Sequence, residues 1–332
     1  MIDPMRQHRS LFALLSAFLV LPALALADPP AACWSPAQLA ARPGEAVRHW
    51  AGPADRLPVP AAATMTAAPV AGEGVVRRVQ VSAGEKIVAL TFDLCEGGGE
   101  IAGYDGKIVD YLRREKVPAT FFMGGRWAQS HEERAMQLLS DPLFEIGDHS
   151  YDHADLEKAA PDKVTLQIAR TEAVIDGLAA RVAKSCPAAP THQTRLFRFP
   201  FGACGADGPA AVRAAGLVPI QWDVVSGDPS GIIAAPMTRA VLATVKPGSI
   251  VVMHANGRGT HTAEALTGLV PALRARGYRF VTVSELLAAG DASTTNACFV
   301  LHPGDTAVYD KPHAVKAAGE KGTGTIAVPL QR

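Results

Sequence analysis

Apolar and polar positions divide the chain into stretches of different character. Leu11 to Leu26 is an apolar run broken only by Ser16 and Pro22, with Arg6 and Arg9 ahead of it. The run closes on Ala25-Leu26-Ala27, a small-residue cleavage pattern. Residues 1–27 therefore read as a secretory signal peptide, and the mature chain is expected to start at Asp28. The run is short for a bilayer span, and an uncleaved anchor is the alternative. No membrane contact is expected after cleavage, so the protein is expected to be exported, to the periplasm or the medium. Residues 28–75 form an N-terminal extension. It is polar at first, with a short helix expected from Ser35, a cap followed by proline, and then becomes a Pro/Ala/Gly-rich linker.

From about residue 76 the pattern turns regular. Short β-rich runs occur at Ile87–Thr91, Ala119–Met123, Phe144–Gly147, Leu196–Phe199, Val218–Trp222, Ser249–Met253 and Tyr278–Val283. Helical stretches lie between them at Gly106–Glu115, Glu132–Ser140, Asp162–Val182, Pro209–Ala215, Met237–Val245 and Thr262–Arg276. The longest carries Val164, Ile168, Val174, Ile175 and Leu178 along one face. Strands alternating with helices predict parallel strands covered by helices. The number of strands points to a barrel-like α/β fold, with an open doubly wound sheet as the alternative. Periodicity fades after about Asp291. The expected organisation is a domain over residues 76–290 and an irregular C-terminal tail over 291–332.

Composition narrows the function. Of 332 residues, 48% are hydrophobic and 19% charged, enough for a sizeable core. Lys+Arg and Asp+Glu are both 32. No basic excess marks the chain for nucleic acid.

In β/α barrels functional side chains collect where strands end, and the expected strand ends here are unusually polar. After the first comes Asp93-Leu94-Cys95-Glu96; after the third, His149-Ser150-Tyr151-Asp152-His153; after the fourth, Arg198-Phe199-Pro200-Phe201-Gly202. Asp223 to Asp228 follows the fifth and His254-Ala255-Asn256 the sixth. Each group has a bland reading: a helix cap for Asp93, a turn at Arg198, a hydrogen-bonded structural histidine. Together they fit one chemistry. A metal on His149 and His153 would polarise a carbonyl and acidify water. Asp93 would be the general base and His254 the general acid. Arg198 would orient Asp93 and Asp228 would orient His254. Hydrolysis of an amide or ester follows.

These segments resemble the polysaccharide deacetylase family, whose core is the NodB homology domain (carbohydrate esterase family 4), over roughly residues 85–285. The resemblance implies a distorted (β/α)7 barrel and a divalent cofactor, Zn²⁺ first, with Co²⁺ or Ni²⁺ as alternatives. It maps the base onto Asp93, the metal motif onto His149–His153, and the general acid onto His254. The acid that tunes His254 falls on Asp228. The third motif falls on Arg198 to Gly202, where the backbone N–H of Phe201, beside Pro200, helps to bind the oxyanion.

Three positions depart from that pattern. Leu94 stands where the family has its acidic third metal ligand, Val225 where it often has an acid, and Pro229 where it usually has tryptophan. The third ligand is left open among Asp93, Glu96 and Asp152. Leu94→Asp is expected to tighten metal binding. Some family members acting on peptidoglycan also lack the second acid of the first motif.

Export makes disulfides permissible. The mature chain holds Cys33, Cys95, Cys186, Cys204 and Cys298. The expected pairs are Cys95–Cys204, bracing two active-site loops, and Cys33–Cys298, joining the chain ends; Cys186 is left unpaired. A reduced, buried Cys95 and Cys204 are the alternative.

The leading functional expectation is an exported, metal-dependent hydrolase that removes acetyl groups from N- or O-acetylated sugars of a polysaccharide or peptidoglycan. Its partner is then a carbohydrate oligomer or polymer. The alternatives are a hydrolase of another C–N bond, of the cyclic amide type, and a non-catalytic glycan-binding relative whose site lost its metal acid.

Overall fold

The computed structural model describes residues 33–52, 56–193, 195–296 and 298. The expected signal segment, and the tail beyond Cys298, lie outside the described residues. Six strands run parallel in one curled sheet, in the order Ser249–His254, Ile87–Leu94, Ala119–Met123, Phe144–Asp148, Leu196–Phe197, Val218–Pro219. Val224–Val225 adds a short parallel pairing to Ser249–His254, and Arg279–Phe280 one to Ile87–Leu94. The sheet does not lie open. A bridge from Ile220 to Val76 ties its far end back to the strand Val75–Val81, which borders Ser249–His254, so the parallel run curls into a distorted barrel.

The Ile87–Leu94 strand shows why the pattern folds this way. All of its residues are buried, as expected of a parallel strand covered on both faces. Val88, Leu90, Phe92 and Leu94 pack with Trp127, Leu266 and the other buried residues of the main core. The alternate residues point inward, where Ile87 and Ala89 meet a second apolar cluster and Thr91 and Asp93 line the polar end. The long helix Pro161–Ser185 lays Val164, Ile168, Ile175 and Leu178 against the barrel.

Toward the C-terminal end, two boundaries differ from expectation. The run expected as strand Tyr278–Val283 is strand only at Arg279–Phe280, then becomes helix Val283–Ala288. Thr282 caps that helix, and Glu285 reaches back to complete a capping box that outweighs the β-branched residues. The expected loss of order at Asp291 is also corrected. Gly290–Thr295 forms a strand antiparallel to Val75–Val81. Its sequence carries no apolar alternation, because backbone pairing to an already buried partner holds it at the sheet edge. Val75–Val81 in turn pairs antiparallel with Ser249–His254.

The N-terminal extension packs on the barrel beside its mouth. The helix expected from Ser35 spans Pro36–Leu39, closed by a capping box between Ser35 and Gln38. Arg134, almost fully buried, donates to the carbonyls of Gln38, Leu39 and Ala40 and pairs with Glu45 at 2.6 Å. His49–Trp50 pairs antiparallel with Glu100–Ile101, in the loop that follows the Asp93 strand.

The expected disulfides are both corrected. The structure pairs Cys33 with Cys186 and Cys204 with Cys298, at Cα separations of 5.4 and 5.6 Å. The first bridge fastens the extension to the end of the long helix; the second fastens the chain beyond the edge strand to the loop after Gly202. Cys95 is free and buried. It cannot reach Cys204 because its side chain sits inside the mouth, held by Asn256.

Candidate active site

Strand register gathers the site. His254 is paired with Asp93, Leu94 with Met123, Met123 with Asp148, and Asp148 with Phe197, so the ends of adjacent strands form one rim. Asp93, His149, Arg198 and His254 all lie on it or one residue beyond it.

Asp93 is almost fully buried. Its Oδ1 accepts from Arg198 Nη1 at 2.8 Å, and its Oδ2 lies 3.6 Å from His149 Nε2. Burial alone would push its carboxyl up, but Arg198, with His149 and His254, holds it below the usual carboxylate range. Arg198 is itself fully buried. It also donates to Thr91 Oγ1 at 2.8 Å and to the Gln221 carbonyl at 3.3 Å, and its guanidinium lies 3.9 Å from the Phe122 ring centroid. These contacts fix the guanidinium against the buried carboxylate.

His254 answers from the neighbouring strand. Its Nδ1 is 3.0 Å from Asp228 Oδ1, and its backbone N–H donates to Asp228 Oδ2 at 2.7 Å. Ser226 and Thr262 also donate to this carboxylate, at 2.9 and 2.8 Å. Gly259 is required beneath it, since a Cβ there would meet Asp228 Oδ2 and Thr262 Oγ1. Burial would lower the pKa of His254, but the charge and hydrogen bond of Asp228 push it up to about 9. The ring therefore carries a proton at neutral pH and presents Nε2 to the site.

His149 and His153 stand together, with ring centroids 5.2 Å apart. The backbone makes this possible through left-handed turns at Ser150 (φ 62°) and His153 (φ 56°). His149 Nδ1 lies 2.9 Å from the Arg198 carbonyl. A carbonyl only accepts, so Nδ1 carries the proton and the Nε2 lone pair is left for a ligand. That Nε2 is buried and makes no hydrogen bond. Burial drives the pKa of His153 down to about 3, so its ring is neutral and able to donate a lone pair. Cys95 Sγ completes a trio with these two rings, all three donor atoms lying within 4.8 Å of one another. The donor set thus fits a divalent metal.

The Pro200–Gly202 turn borders the histidines. Phe201 is left-handed (φ 57°), and its ring centroid is 4.3 Å from that of His153. Gly202 is also left-handed (φ 67°), and a Cβ on it would press on the Trp222 ring at 3.0 Å. Only glycine suits that corner.

The comparisons with known proteins come to the same place. Residues 80–220 match the family model described as polysaccharide deacetylase. A peptidoglycan-N-acetylglucosamine deacetylase of Bacillus cereus is 31% identical over 211 residues, covering 63% of this chain and 91% of that protein. The chain belongs to the polysaccharide deacetylase family. It is accordingly a hydrolase acting on carbon–nitrogen bonds other than peptide bonds. A chitooligosaccharide deacetylase of Sinorhizobium fredii is also 31% identical, covering 59% of this chain and 89% of its own. Among solved structures, a peptidoglycan N-acetylglucosamine deacetylase superposes with a TM-score of 0.54 at 27% identity, covering 64% of this chain and 93% of the other. A mutant of a carbohydrate esterase family 4 pseudoenzyme superposes with a TM-score of 0.56 at 25% identity, covering 65% and 72%.

The structure brings Asp93, His149, His153, Arg198, Phe201, Asp228 and His254 to one mouth. Of the three candidates considered for the third metal ligand it keeps Asp93 there, with Oδ2 3.6 Å from His149 Nε2, and leaves out the other two. Glu96 turns away to accept from Ser130 Oγ and Ala102 N–H, at 2.6 and 2.9 Å, and Asp152 accepts from Gln167 at 2.9 Å. Leu94 is fully buried in the main core, so the expectation that an acid at position 94 would complete the metal site is corrected. Strand alternation is the reason: residues 93 and 95 share a face and residue 94 points the other way. The same alternation is a signal in the sequence that could have marked Cys95 as a residue of the site, where a disulfide to Cys204 was expected instead. The partners Thr91, Gln221, Ser226 and Thr262 carried no comparable mark, because only packing brings them there.

Proposed function

We propose that the chain is an exported, metal-dependent deacetylase that removes acetyl groups from N-acetylated sugars of peptidoglycan or a chitin-like glycan, with O-acetylated sugars as a second substrate class. The observation that carries this reading is the pairing of Asp93 with His254. An ionised carboxylate and a protonated imidazole face one another across adjacent strand ends, each fixed by its own buried partner.

His149 and His153 would hold the cation, Zn²⁺ first among the candidates, and when bound it would supply a Lewis acid for the acetyl carbonyl and lower the pKa of water. The remaining chemistry belongs to side chains. Asp93 Oδ2, left outside the Arg198 contact, takes a proton from the attacking water. Arg198 keeps that carboxylate ionised and oriented. The Phe201 N–H, on its left-handed turn beside Pro200, would bind the developing oxyanion. His254 Nε2 gives its proton to the leaving sugar nitrogen, while Asp228 holds Nδ1 and stabilises the imidazolium.

Two features support export. The N-terminal segment has the sequence of a cleavable signal, and the two disulfides suit an oxidising compartment. No helix among the described residues is long and apolar enough to cross a membrane. The non-catalytic reading has a pseudoenzyme among the structural neighbours, but a binding protein has no use for a base and an acid each locked to a charged partner. The test is acetate release from chitin oligomers, peptidoglycan and acetylxylan, with and without chelator. Release that stops with chelator and returns with Zn²⁺ or Co²⁺ is expected. No release from any substrate would leave the non-catalytic reading standing.

A further inference from the structure

Cys95 is the chain's own departure at this mouth. Of the five cysteines, four are joined in the two bridges and Cys95 is not. It is 1% exposed, so it is neither a surface thiol nor half of a missing bridge. Its Sγ is held in place: Asn256 Nδ2 donates to the Cys95 carbonyl at 2.7 Å and to Sγ at 2.9 Å. The backbone just before it is pinned as well, with Ala255 N–H donating to the Asp93 carbonyl and Gly124 N–H to the Leu94 carbonyl. Sγ is thereby kept within 4.8 Å of the donor atoms of His149 and His153. An independent observation points to the same spot. His149 Nε2 is a buried ring nitrogen with no hydrogen-bond partner, its other nitrogen being committed to the Arg198 carbonyl.

We propose that Cys95 is the third protein ligand of the metal, so that the site is a cysteine–histidine–histidine set in place of the acid–histidine–histidine set that the family resemblance implies. This rests on the metal-dependent reading above. Three protein donors with an open position is the arrangement of catalytic zinc, and a Cys/His set is one of its forms. The thiol gives up its proton as the ion binds, and that proton leaves to solvent. A thiolate among two imidazoles selects Zn²⁺ and Co²⁺ over Mg²⁺ and Mn²⁺, which suit oxygen donors. Loss of the acid at position 94 is then no loss of the site. The ligand has moved one residue along, to the side of the strand that faces the mouth.

The test is cobalt substitution of the full mature protein, read by absorption rather than by turnover. Wild type is expected to bind one Co²⁺ with a near-ultraviolet thiolate-to-cobalt charge-transfer band, displaced by Zn²⁺ and untouched by excess Mg²⁺. Cys95→Ser and Cys95→Ala are expected to lose the band and to bind Zn²⁺ at least ~10–100-fold more weakly, the range that even outer-shell partners command. Cys95→Asp, which puts an oxygen donor in the same place, is expected to keep Co²⁺ without the band. Circular dichroism of each metal-free variant confirms its fold. Stoichiometric Co²⁺ that is lost in His149→Ala, yet shows no thiolate band and is unchanged in Cys95→Ala, overturns this assignment and leaves the metal-dependent reading intact. Absence of any stoichiometric Co²⁺ or Zn²⁺ overturns both.

Discussion

The two halves of this mouth are built on opposite rules. On one side Asp93 and His254 are each braced by a charged partner: Arg198 braces the carboxylate, while Asp228 holds the imidazole and is itself held by Ser226 and Thr262. On the other side His149 Nε2 is buried with no hydrogen bond, next to Cys95 Sγ and His153. A buried polar atom without a partner costs stability and calls for an explanation. Under the proposed reading, proton-transfer groups must be set in charge and orientation before substrate arrives, which these braces would serve. Under the proposed metal-dependent reading, donors must keep lone pairs free, which matches an unbraced Nε2. His149 carries both rules in one ring, with Nδ1 tied to a carbonyl and Nε2 open.

The largest expected effect separates the halves. Asp93→Asn and His254→Ala should each cost turnover ~10²–10⁴-fold, the usual worth of a general base or acid, while leaving cobalt uptake close to wild type. Acetate release and metal stoichiometry measured on the same samples check this. Turnover that survives either change would remove that residue from proton transfer.

Next comes position 94. Leu94 is fully buried among apolar side chains, so Leu94→Asp should place an unpaired carboxylate in the core and cost about 4 kcal/mol or more. Urea unfolding measures this. A stable Leu94→Asp protein that binds zinc more tightly would show that the strand end can twist to bring residue 94 into the mouth.

That position also shows how far the sequence could be read. The barrel was legible because long parallel strands are buried on both faces and read as plain apolar runs, as Ile87–Leu94 does. The polar strand ends pointed to Asp93, His254, Arg198 and the two histidines, which the structure brings to one mouth. What escaped reading was held by contacts that leave no pattern. Gly290–Thr295 is a polar strand held by backbone pairing. Cys204 meets Cys298 only because the edge strand carries the chain back over the barrel. Cys95 escaped for another reason: the family template directs attention to residue 94, whereas the period of a strand points to residue 95.

The bridges lie outside both halves, which gives a smaller and cleaner effect. Replacing Cys204 and Cys298 together with serine should cost about 2–4 kcal/mol of stability and leave turnover and cobalt binding per folded molecule unchanged. A loss of the cobalt band in that double variant would tie the outer loop to the metal side of the mouth. Retention would show that the bridges serve the fold alone.

The smallest effect concerns the proton on His254. Its folded-state pKa is about 9, raised by Asp228 against the pull of burial, while an unfolded histidine titrates near 6.5. A group whose pKa is raised on folding contributes its full stability below the unfolded value, and that contribution is lost as pH rises through the folded value. In metal-free protein the gap in unfolding free energy between wild type and His254→Gln should therefore be widest below about pH 6.5 and close as pH passes about 9. Glutamine keeps a hydrogen-bond donor toward Asp228 but no charge, so the comparison isolates the proton from the contact. Turnover of the metal-loaded wild type should fall over the same upper limb, because the leaving nitrogen then loses its acid. A gap that does not change with pH would mean that Asp228 orients the ring without holding its proton, and the acid for the leaving group would then have to be sought elsewhere at the mouth.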